Sequence, residues 1–377
     1  MADPVRILHV HSTFTLGGKE ARAVRLMNLF GDRARHTVLS GVPGAIGARG
    51  AIDPAVIVDF PEDHPPLVGR PGLARYRALA RYMHGFDLVL TYNWGAMDAV
   101  MARRLFRGPP LVHHEDGFNV RERDGPILRR SLFRRIAFPA AGALVVPSAR
   151  LERIALDVWK QPRSRVRRIA NGVVLDAYAV EPAPDAIPGL ARKPDEVIVG
   201  TLAGLRPIKN LPRLVRAFAA AGCAGARLVI VGEGPAREAI ATEAVRCGVA
   251  GKVLMPGFLP DPARYVGLFD VFALSSDSEQ FPISLVEAMA AGRPVVSTDV
   301  GDVAQIVSAA NRPFVVPAAD EQALAGALAR LIADSGLRAA LGEANRARAQ
   351  AEYGEDAMVR AYRSLYNAMS GRPGALG

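Results

Sequence analysis

Short apolar segments alternate with helical segments along almost the whole chain, and this alternation limits the folds open to it. Amphipathic stretches such as Lys19–Phe30, Leu73–Met83 and Pro126–Phe138 predict helices. Short aliphatic runs bounded by polar, Gly or Pro residues predict buried parallel strands between them. In the first half these strand candidates are Val5–His11, His36–Ser40, Val56–Asp59, Leu88–Tyr92, Leu111–His114 and Ala143–Pro147. The pattern therefore predicts a sheet built from β–α–β units.

The same rhythm begins again in the second half of the chain. Its strand candidates are Val197–Leu202, Arg227–Val231, Val253–Met255, Val271–Leu274, Val295–Thr298 and Phe314–Val316. A chain of 377 residues is too long for one ordinary hydrophobic core. The sequence therefore predicts two α/β domains, each a doubly wound parallel sheet.

A break in the pattern separates the two halves. Residues 179–195 hold four prolines and show little periodicity, which is typical of a linker. We expect a first domain over residues 1–178, a second over 196–355, and a C-terminal helix from 356 that returns to the first domain, with a tail to 377. Two Rossmann-like domains would face a central cleft, and ligands of such sheets bind at the carboxyl ends of the strands.

The charge is concentrated in the first half. Residues 1–180 carry 27 Lys and Arg against 16 Asp and Glu, whereas residues 181–377 carry 20 against 21. Such a basic half favours an anionic partner, although an Arg-rich composition alone would produce the same count. Residues 121–138 place arginines beside Leu132, Phe133 and Ile136, which would suit an anionic membrane surface; a helix with one core face and one solvated face fits equally well.

The segment from Ser275 to Gly292 carries the strongest functional signal. An apolar strand ends in a polar loop containing Glu279, and Pro282 then starts a helix. The first-turn amides around Phe281, Pro282, Ile283 and Ser284 would bind a diphosphate. Glu287 lies about one turn inside the helix, and its carboxylate would accept hydrogen bonds from a ribose diol.

Three further loops follow strand candidates and would lie at the same edges. In Ala203–Asn210, Lys209 and Arg206 would neutralise a departing diphosphate. The bare backbone of Gly17 and Gly18 would approach a phosphate closely, although a plain tight turn is the alternative. Glu115 or Asp116 in the His113–Phe118 segment would orient an acceptor hydroxyl.

These motifs, in this order, resemble glycosyltransferase family 4, the retaining enzymes of the GT-B fold. The resemblance rests on two glutamates separated by seven residues, Glu279 and Glu287, with a Phe-Pro helix start between them. Gly292–Gly301, Asn171–Val173 and Ile230–Pro235 follow the family pattern as well. The family usually has an arginine at the position of Gly204, and Arg206 is the candidate replacement.

The resemblance implies a retaining transfer of a sugar from a nucleotide-diphosphate sugar to a glycan or polyprenyl-linked acceptor. It also implies that a histidine near the end of the Leu111–His114 strand contacts the donor sugar, and His114 is the candidate. Glu279, His114 and Lys209 are thus the expected catalytic residues. No cofactor is expected beyond the nucleotide sugar, and no metal, because Asp277-Ser-Glu279 precedes a phosphate-type helix start.

The sequence carries no signal peptide and no apolar run of membrane-spanning length, so a cytoplasmic or peripheral location is expected. A sugar-nucleotide epimerase on the same scaffold and a basic nucleic-acid-binding protein remain alternatives. No nucleic-acid motif supports the latter, and no nucleic-acid partner is expected. A nicotinamide dehydrogenase is disfavoured because Gly232-Glu-Gly234 lacks the third glycine of a dinucleotide fingerprint.

Overall fold

The structure, a computed structural model, describes residues 3–117, 127–222 and 224–377. The chain divides into two compact units. The first consists of Met1–Asn171 together with Met358–Gly377, and the second of Gly172–Ala357. Both are α/β units around parallel sheets, as the alternation of apolar and helical segments predicts.

The first unit contains a seven-stranded parallel sheet in the order β3-β2-β1-β4-β5-β6-β7. Its strands are β1 (Val5–His11), β2 (Ala34–Ser40), β3 (Ile57–Asp59), β4 (Leu88–Tyr92), β5 (Leu111–His114), β6 (Ala143–Val146) and β7 (Val166–Arg168). Its helices are α1 (Gly18–Phe30), α2 (Leu73–Met83), α3 (Met97–Phe106), α4 (Leu128–Ala137) and α5 (Ala149–Arg153), which continues as a π turn over Ile154–Val158. Hydrophobic clusters cover both faces of the sheet, and most residues of its central strands are buried.

The second unit repeats the plan with six parallel strands in the order β10-β9-β8-β11-β12-β13. These are β8 (Val197–Leu202), β9 (Ala226–Val231), β10 (Val253–Gly257), β11 (Val271–Leu274), β12 (Val295–Thr298) and β13 (Val315–Val316). The helices are α6 (Leu211–Ala220), α7 (Arg237–Arg246), α8 (Ile283–Ala290), α9 (Val303–Ile306), α10 (Glu321–Ala333) and α11 (Ser335–Glu352). This strand order is that of the Rossmann fold.

The last helix, α12 (Glu355–Ser370), returns the chain to the first unit. Its apolar residues recur at helical spacing, and Met358, Tyr362 and Tyr366 are buried in the cluster that contains Phe30. The segment 179–195, expected to be a linker from its prolines, falls within the second unit. Ile187 and Leu190 are buried, and Arg192 pairs with Asp270.

Within the part of the chain that the structure describes, no helix is both long and apolar enough to cross a bilayer.

Candidate functional site

The order of strands in the second sheet creates a switch point between β8 and β11. On one side of it the chain proceeds to β9, and on the other to β12, so the loops that follow β8 and β11 diverge. Ligands of doubly wound sheets bind at such a point, beyond the carboxyl ends of the strands. The loops concerned are 203–210 and 275–282, the two segments singled out in the sequence.

The structure brings Lys209 and Glu279 together at this switch point. The ammonium nitrogen of Lys209 lies 2.5 Å from Oε1 of Glu279, and both side chains are largely shielded from solvent. The hydroxyl of Ser276 donates a second hydrogen bond to the same oxygen, at 2.7 Å. A cation suited to a diphosphate and a carboxylate suited to sugar hydroxyls therefore share one position, each neutralising the other.

Backbone contacts fix the two loops against each other. The hydroxyl of Ser275 donates to the carbonyls of Lys209 and Asn210, both at 3.1 Å. The amide of Asp277 donates to the carbonyl of Ile208 at 2.9 Å. These bonds fix the positions of the loops that carry Lys209 and Glu279. Electrostatic stabilisation requires charged groups that are held in place in this way.

Asp277 helps to hold the two loops together. Its carboxylate is 2.8 Å from a guanidinium nitrogen of Arg213 and accepts a hydrogen bond from the amide of Asn210 at 3.0 Å. Its charge is thus engaged by α6 and the residue before it, and not shared with Glu279. Among the described residues no group of three or more His, Cys, Asp or Glu side chains is arranged to hold a metal ion.

Arg206 lies beside the position that lacks the family arginine. Its Nε would be 3.7 Å from a Cβ placed on Gly204, and its backbone amide donates to the carbonyl of Gly204 at 2.7 Å. The side chain is exposed at the edge of the sheet. The Arg206 guanidinium therefore lies close to Gly204, the position of the family arginine, although Arg206 is two residues later in the sequence.

Pro282 was expected to be the first residue of α8, but it lies immediately before the helix. Its backbone is extended (φ −69°, ψ 109°). The first-turn amides of Ile283 and Ser284 have no acceptor inside the helix, so α8 begins with donors directed at the switch point. The ring of Phe281 packs on that of Tyr353, with centroids 5.7 Å apart. This contact anchors the turn that presents the donors.

Glu287 is half-buried and lies in α8 between the buried residues Val286 and Ala288. The nearby phenol of Tyr178 favours its ionised form. Burial, with a smaller contribution from nearby Asp261, raises the pKa of Glu287 from 4.5 to about 7. Burial thus favours the protonated form of this carboxyl group.

Two glycines that follow the neighbouring strand β9 pack against the loop after β8. Gly232 and Gly234 have φ of +140° and +153°. A Cβ on Gly232 would lie 1.9 Å from the carbonyl oxygen of Ala203, and one on Gly234 would lie 2.6 Å from that of Leu205. Only glycine permits this approach, so the Gly-Glu-Gly turn supports the loop after β8.

His114 is buried within the first unit, and its expected contact with the donor sugar stays a prediction. The ring is buried and stacks on Tyr92. Nδ1 lies 3.2 Å from the carbonyl of Thr91, and Nε2 lies 2.8 Å from the hydroxyl of Tyr366. A carbonyl only accepts, so Nδ1 donates and Nε2 accepts; both nitrogens are used inside the unit.

Glu115, expected to orient an acceptor hydroxyl, is buried as well, and this role stays a prediction. Its side chain is inaccessible to solvent, and Oε2 is 3.1 Å from Nε of Arg134, which is equally buried. The Arg134 guanidinium lies over the rings of Trp94 and Trp159, 5.1 and 4.8 Å from their centroids. Glu115 is therefore the partner of a buried arginine.

Asp116, the other acceptor candidate, lies at the edge of the first sheet. Two of its oxygens accept hydrogen bonds from Arg22, at 2.6 and 2.9 Å. Burial alone would raise its pKa, but the Arg22 charge outweighs burial and holds the pKa of Asp116 below its usual value. Asp116 is thus an oriented, ionised carboxylate that is only partly shielded.

At the start of α1 the expected phosphate contact meets a carboxylate of the chain itself. Gly17 precedes the helix in an extended conformation, and a Cβ there would be 3.0 Å from Oε2 of Glu20. Glu20 is buried and ion-paired with Lys19. An acidic group therefore already lies at the helix terminus formed by Gly17 and Gly18.

Sequence reasoning missed several residues that shape these edges. Ser276, Arg213 and Tyr178 carry no motif, and their roles depend on contacts between distant segments. His11, at the end of β1, is buried against Tyr92 with ring centroids 4.0 Å apart. Its position directly before a predicted loop was the one signal available.

The two Rossmann-like units and the loops at the carboxyl ends of their strands define the class of protein. The chain has the GT-B fold of glycosyltransferases. Over 97% of this chain and 100% of the other, it superposes with a TM-score of 0.77 and 19% identity on the structure of HepE from Anabaena, solved in complex with UDP-glucose. The family profile described as Glycosyltransferase Family 4 matches residues 16–177, and that described as Glycosyl transferases group 1 matches residues 184–348. The protein belongs to glycosyltransferase family 4.

Curated relatives agree with this membership. A GDP-mannose-dependent alpha-(1-6)-phosphatidylinositol monomannoside mannosyltransferase of Mycobacterium tuberculosis is 31% identical over 243 residues, 61% of this chain and 62% of the relative. An N-acetyl-alpha-D-glucosaminyl L-malate synthase of Bacillus anthracis is 26% identical over 172 residues, 45% of each. The chain spans about half the length of the curated relatives it matches first.

Proposed function

We propose that the protein transfers a sugar from a nucleotide-diphosphate sugar to a hydroxyl group of a glycan or lipid-linked acceptor. The observation that carries this proposal is the pairing of Lys209 with Glu279 beside the first turn of α8, at the switch point of the second sheet. The relative that depends on GDP-mannose and the structural neighbour that holds UDP-glucose support a nucleotide-sugar donor.

The roles follow from charge and reach. Lys209, Arg206 and the amides of Ile283 and Ser284 bind the pyrophosphate, because these are the cationic and donor groups at the switch point. Glu279, once Lys209 turns to the phosphate, accepts hydrogen bonds from hydroxyls of the donor sugar. Phe281 and Pro282 hold the turn in shape.

At the other end of the donor, Glu287 receives the ribose diol. Asp116, oriented by Arg22, is proposed to hold the acceptor hydroxyl. The two residues belong to different units, and each role is argued from the surroundings of the residue in its own unit.

We propose transfer with retention at the anomeric carbon. The acceptor oxygen attacks on the face that the diphosphate leaves: the bond from the anomeric carbon to phosphate oxygen breaks, the bond to acceptor oxygen forms, and the departing phosphate takes the acceptor proton. Lys209 and the α8 amides stabilise the charge that develops on the leaving group. In this proposal the fixed cations perform that task without a metal ion.

A thermal-shift screen of nucleotide sugars tests the donor class, because a ligand that binds only the folded state raises its stability by mass action. One nucleotide sugar, such as UDP-glucose or GDP-mannose, should raise the unfolding temperature in the presence of EDTA. Proton NMR of the product should show the donor's anomeric configuration preserved. Stabilisation by none of a full panel would contradict the proposal.

We also propose that α4 lies on an anionic bilayer, where a lipid-linked acceptor would reside. Leu128, Leu132 and Ile136 recur at four-residue spacing and are 88, 58 and 51% exposed. Arg129 and Arg135 are exposed beside them, which complements an anionic surface. Residues 121–126 of the expected 121–138 surface lie outside the described residues.

Vesicle flotation tests the membrane surface. The protein should float with vesicles that contain 30% phosphatidylglycerol, and Leu132→Asp should abolish flotation. Val245→Asp is the matched control, because Val245 is comparably exposed on a helix of the second unit. Equal flotation of both variants, or wild-type binding to neutral vesicles alone, would overturn this proposal.

A further inference from the structure

Asn93 has backbone angles that residues with side chains rarely adopt. It follows β4 with φ +55° and ψ −171°, a region that is populated almost only by glycine. Such strain persists where surrounding contacts enforce it, and it is concentrated at functional sites. We infer that Asn93 is a positioning residue of the acceptor site, whose strained turn places the Asp116 carboxylate. This inference rests on the proposed function, in which Asp116 holds the acceptor hydroxyl.

Two hydrogen bonds tie Asn93 to the segment that follows β5. Its backbone amide donates to the carbonyl of His114 at 2.7 Å, which continues the β4–β5 ladder beyond Tyr92. Its side-chain Oδ1 accepts a hydrogen bond from the backbone amide of Asp116 at 2.6 Å. Both contacts reach one three-residue segment, so the turn after β4 fixes the backbone of Asp116.

A second set of contacts fixes the side chain of Asp116. Arg22 on α1 donates to both carboxylate oxygens, at 2.6 and 2.9 Å. The same guanidinium donates to Oδ1 of Asn171 at 2.9 Å and lies over the ring of Tyr362. Because Arg22 is buried and held by these partners, it receives the carboxylate in one position. The backbone contact from Asn93 must therefore bring Asp116 to that position.

Neighbouring contacts keep the Asn93 turn in its strained form. The amide of Ala96 donates to the carbonyl of Asn93 at 3.2 Å. Gly95 packs directly on the loop after β1, where a Cβ on Gly95 would collide with that of Ser12. The turn is thus enclosed between the loop after β1 and the segment after β5. This is the over-determined setting in which an unfavourable conformation is retained.

One substitution separates the Asn93 side chain from its backbone. Glycine adopts these angles freely, so Asn93→Gly removes the contact with the Asp116 amide and keeps the turn. Arg107→Gly is the matched control. Arg107 has nearly the same angles, φ +61° and ψ −167°, but it is exposed between α3 and the amino end of β5. Both variants should fold as the wild type does, which circular dichroism checks.

The experiment measures transfer from UDP-glucose or GDP-mannose, whichever stabilises the protein, to a panel of octyl glycosides as acceptor probes. Asn93→Gly should lower kcat/KM for the acceptor about tenfold and leave KM for the donor within about twofold, because only an acceptor-binding group is displaced. Arg107→Gly should match the wild type in both quantities. Equal losses in the two glycine variants, or no loss in Asn93→Gly, would overturn the inference.

A double-mutant cycle shows whether Asn93 acts through Asp116. Asp116→Ala should lower kcat/KM for the acceptor by at least about tenfold, and Asn93→Gly added to it should cost less than about twofold more, because the group that Asn93 places is already gone. Full additivity of the two losses would give Asn93 a role independent of Asp116. That outcome would overturn the inference and leave the proposed function standing.

Failure of the proposed function has a different signature. If Asp116→Ala transferred sugar as the wild type does, Asp116 would not hold the acceptor, and this assignment and the inference would be refuted together. Transfer by the wild type to none of the probes, from any nucleotide sugar, would refute the proposed function itself.

Discussion

Lys209 and Glu279 are 70 residues apart in the sequence, yet the Lys209 ammonium lies 2.5 Å from the Glu279 carboxylate. The pair forms because β8 and β11 are neighbours in the sheet, so the loops that follow them emerge side by side. In the structure each charge neutralises the other. In the proposed function a diphosphate draws the lysine away and leaves the carboxylate for the sugar.

Removing the cation should impair catalysis more than stability. Lys209→Ala should lower kcat for sugar transfer by on the order of 100-fold, because fixed positive charge at the leaving group is lost. Steady-state kinetics with a saturating donor measure this effect. Lys193→Ala, which removes an exposed lysine of the same unit, should retain wild-type kcat; equal activity of the two variants would refute the role of Lys209.

The loop that carries Glu279 depends on a glycine from the next strand's loop. Gly301 has φ +61°, and a Cβ there would lie 2.5 Å from the carbonyl oxygen of Glu279. Gly301→Ala should displace the loop and lower kcat/KM by about 100-fold, because displacements near 1 Å have this effect. Gly248→Ala is the control, since Gly248 has φ +69° but no atom within 4 Å of a Cβ. Comparable losses in both variants would show that backbone strain, not the contact with the loop, is responsible.

Glu287 should make the second unit less stable as the pH rises. Its pKa is raised from 4.5 in the unfolded chain to about 7 in the fold, so the folded state retains a proton that the unfolded state releases. The stability is present below pH 4.5 and is lost as the pH rises through 7. Hydrogen exchange of the α8 peptide should slow in Glu287→Gln relative to wild type at pH 8 and not at pH 4.5, after correction for intrinsic rates.

The buried Arg134–Glu115 pair should stabilise the first unit. Arg134→Met leaves a buried carboxylate without its cation and should reduce the free energy of unfolding by about 3–5 kcal/mol. The double variant Arg134→Met, Glu115→Gln should recover part of this loss. Tryptophan fluorescence during urea unfolding reports the unit directly, because the chain's two tryptophans, Trp94 and Trp159, flank the guanidinium. No recovery in the double variant would contradict the ion pair.

The sequence predicts the fold well where strands are buried and apolar. The bounds of β1 and β4 are those expected, and α8 begins at Ile283, one residue after the proline that was expected to start it. By contrast, β7 was not predicted, because Val166–Arg168 has one apolar residue followed by two exposed arginines. Its strand character comes from pairing with β6, which local pattern does not reveal.

Within the candidate site, some positions could be predicted and others could not. The closeness of Lys209 and Glu279 follows from the sequence, because each comes after a strand whose carboxyl end faces ligands in this topology; their roles stay predictions. His114 also follows a strand, but its Nε2 is already hydrogen-bonded to the hydroxyl of Tyr366. Tyr366 lies 252 residues later, on the helix that returns to the first unit. Glu115 is likewise occupied by Arg134. Sequence shows which residues reach an edge, but the packing of distant segments decides which of them stay accessible.

Hydrogen exchange with and without a nucleotide sugar tests the central claim most directly, because it locates the bound donor. Saturating UDP-glucose or GDP-mannose, whichever raises the unfolding temperature, should slow exchange in peptides covering residues 203–210 and 275–290. Stabilisation of the protein with unchanged exchange in both segments would place the donor elsewhere and contradict the account.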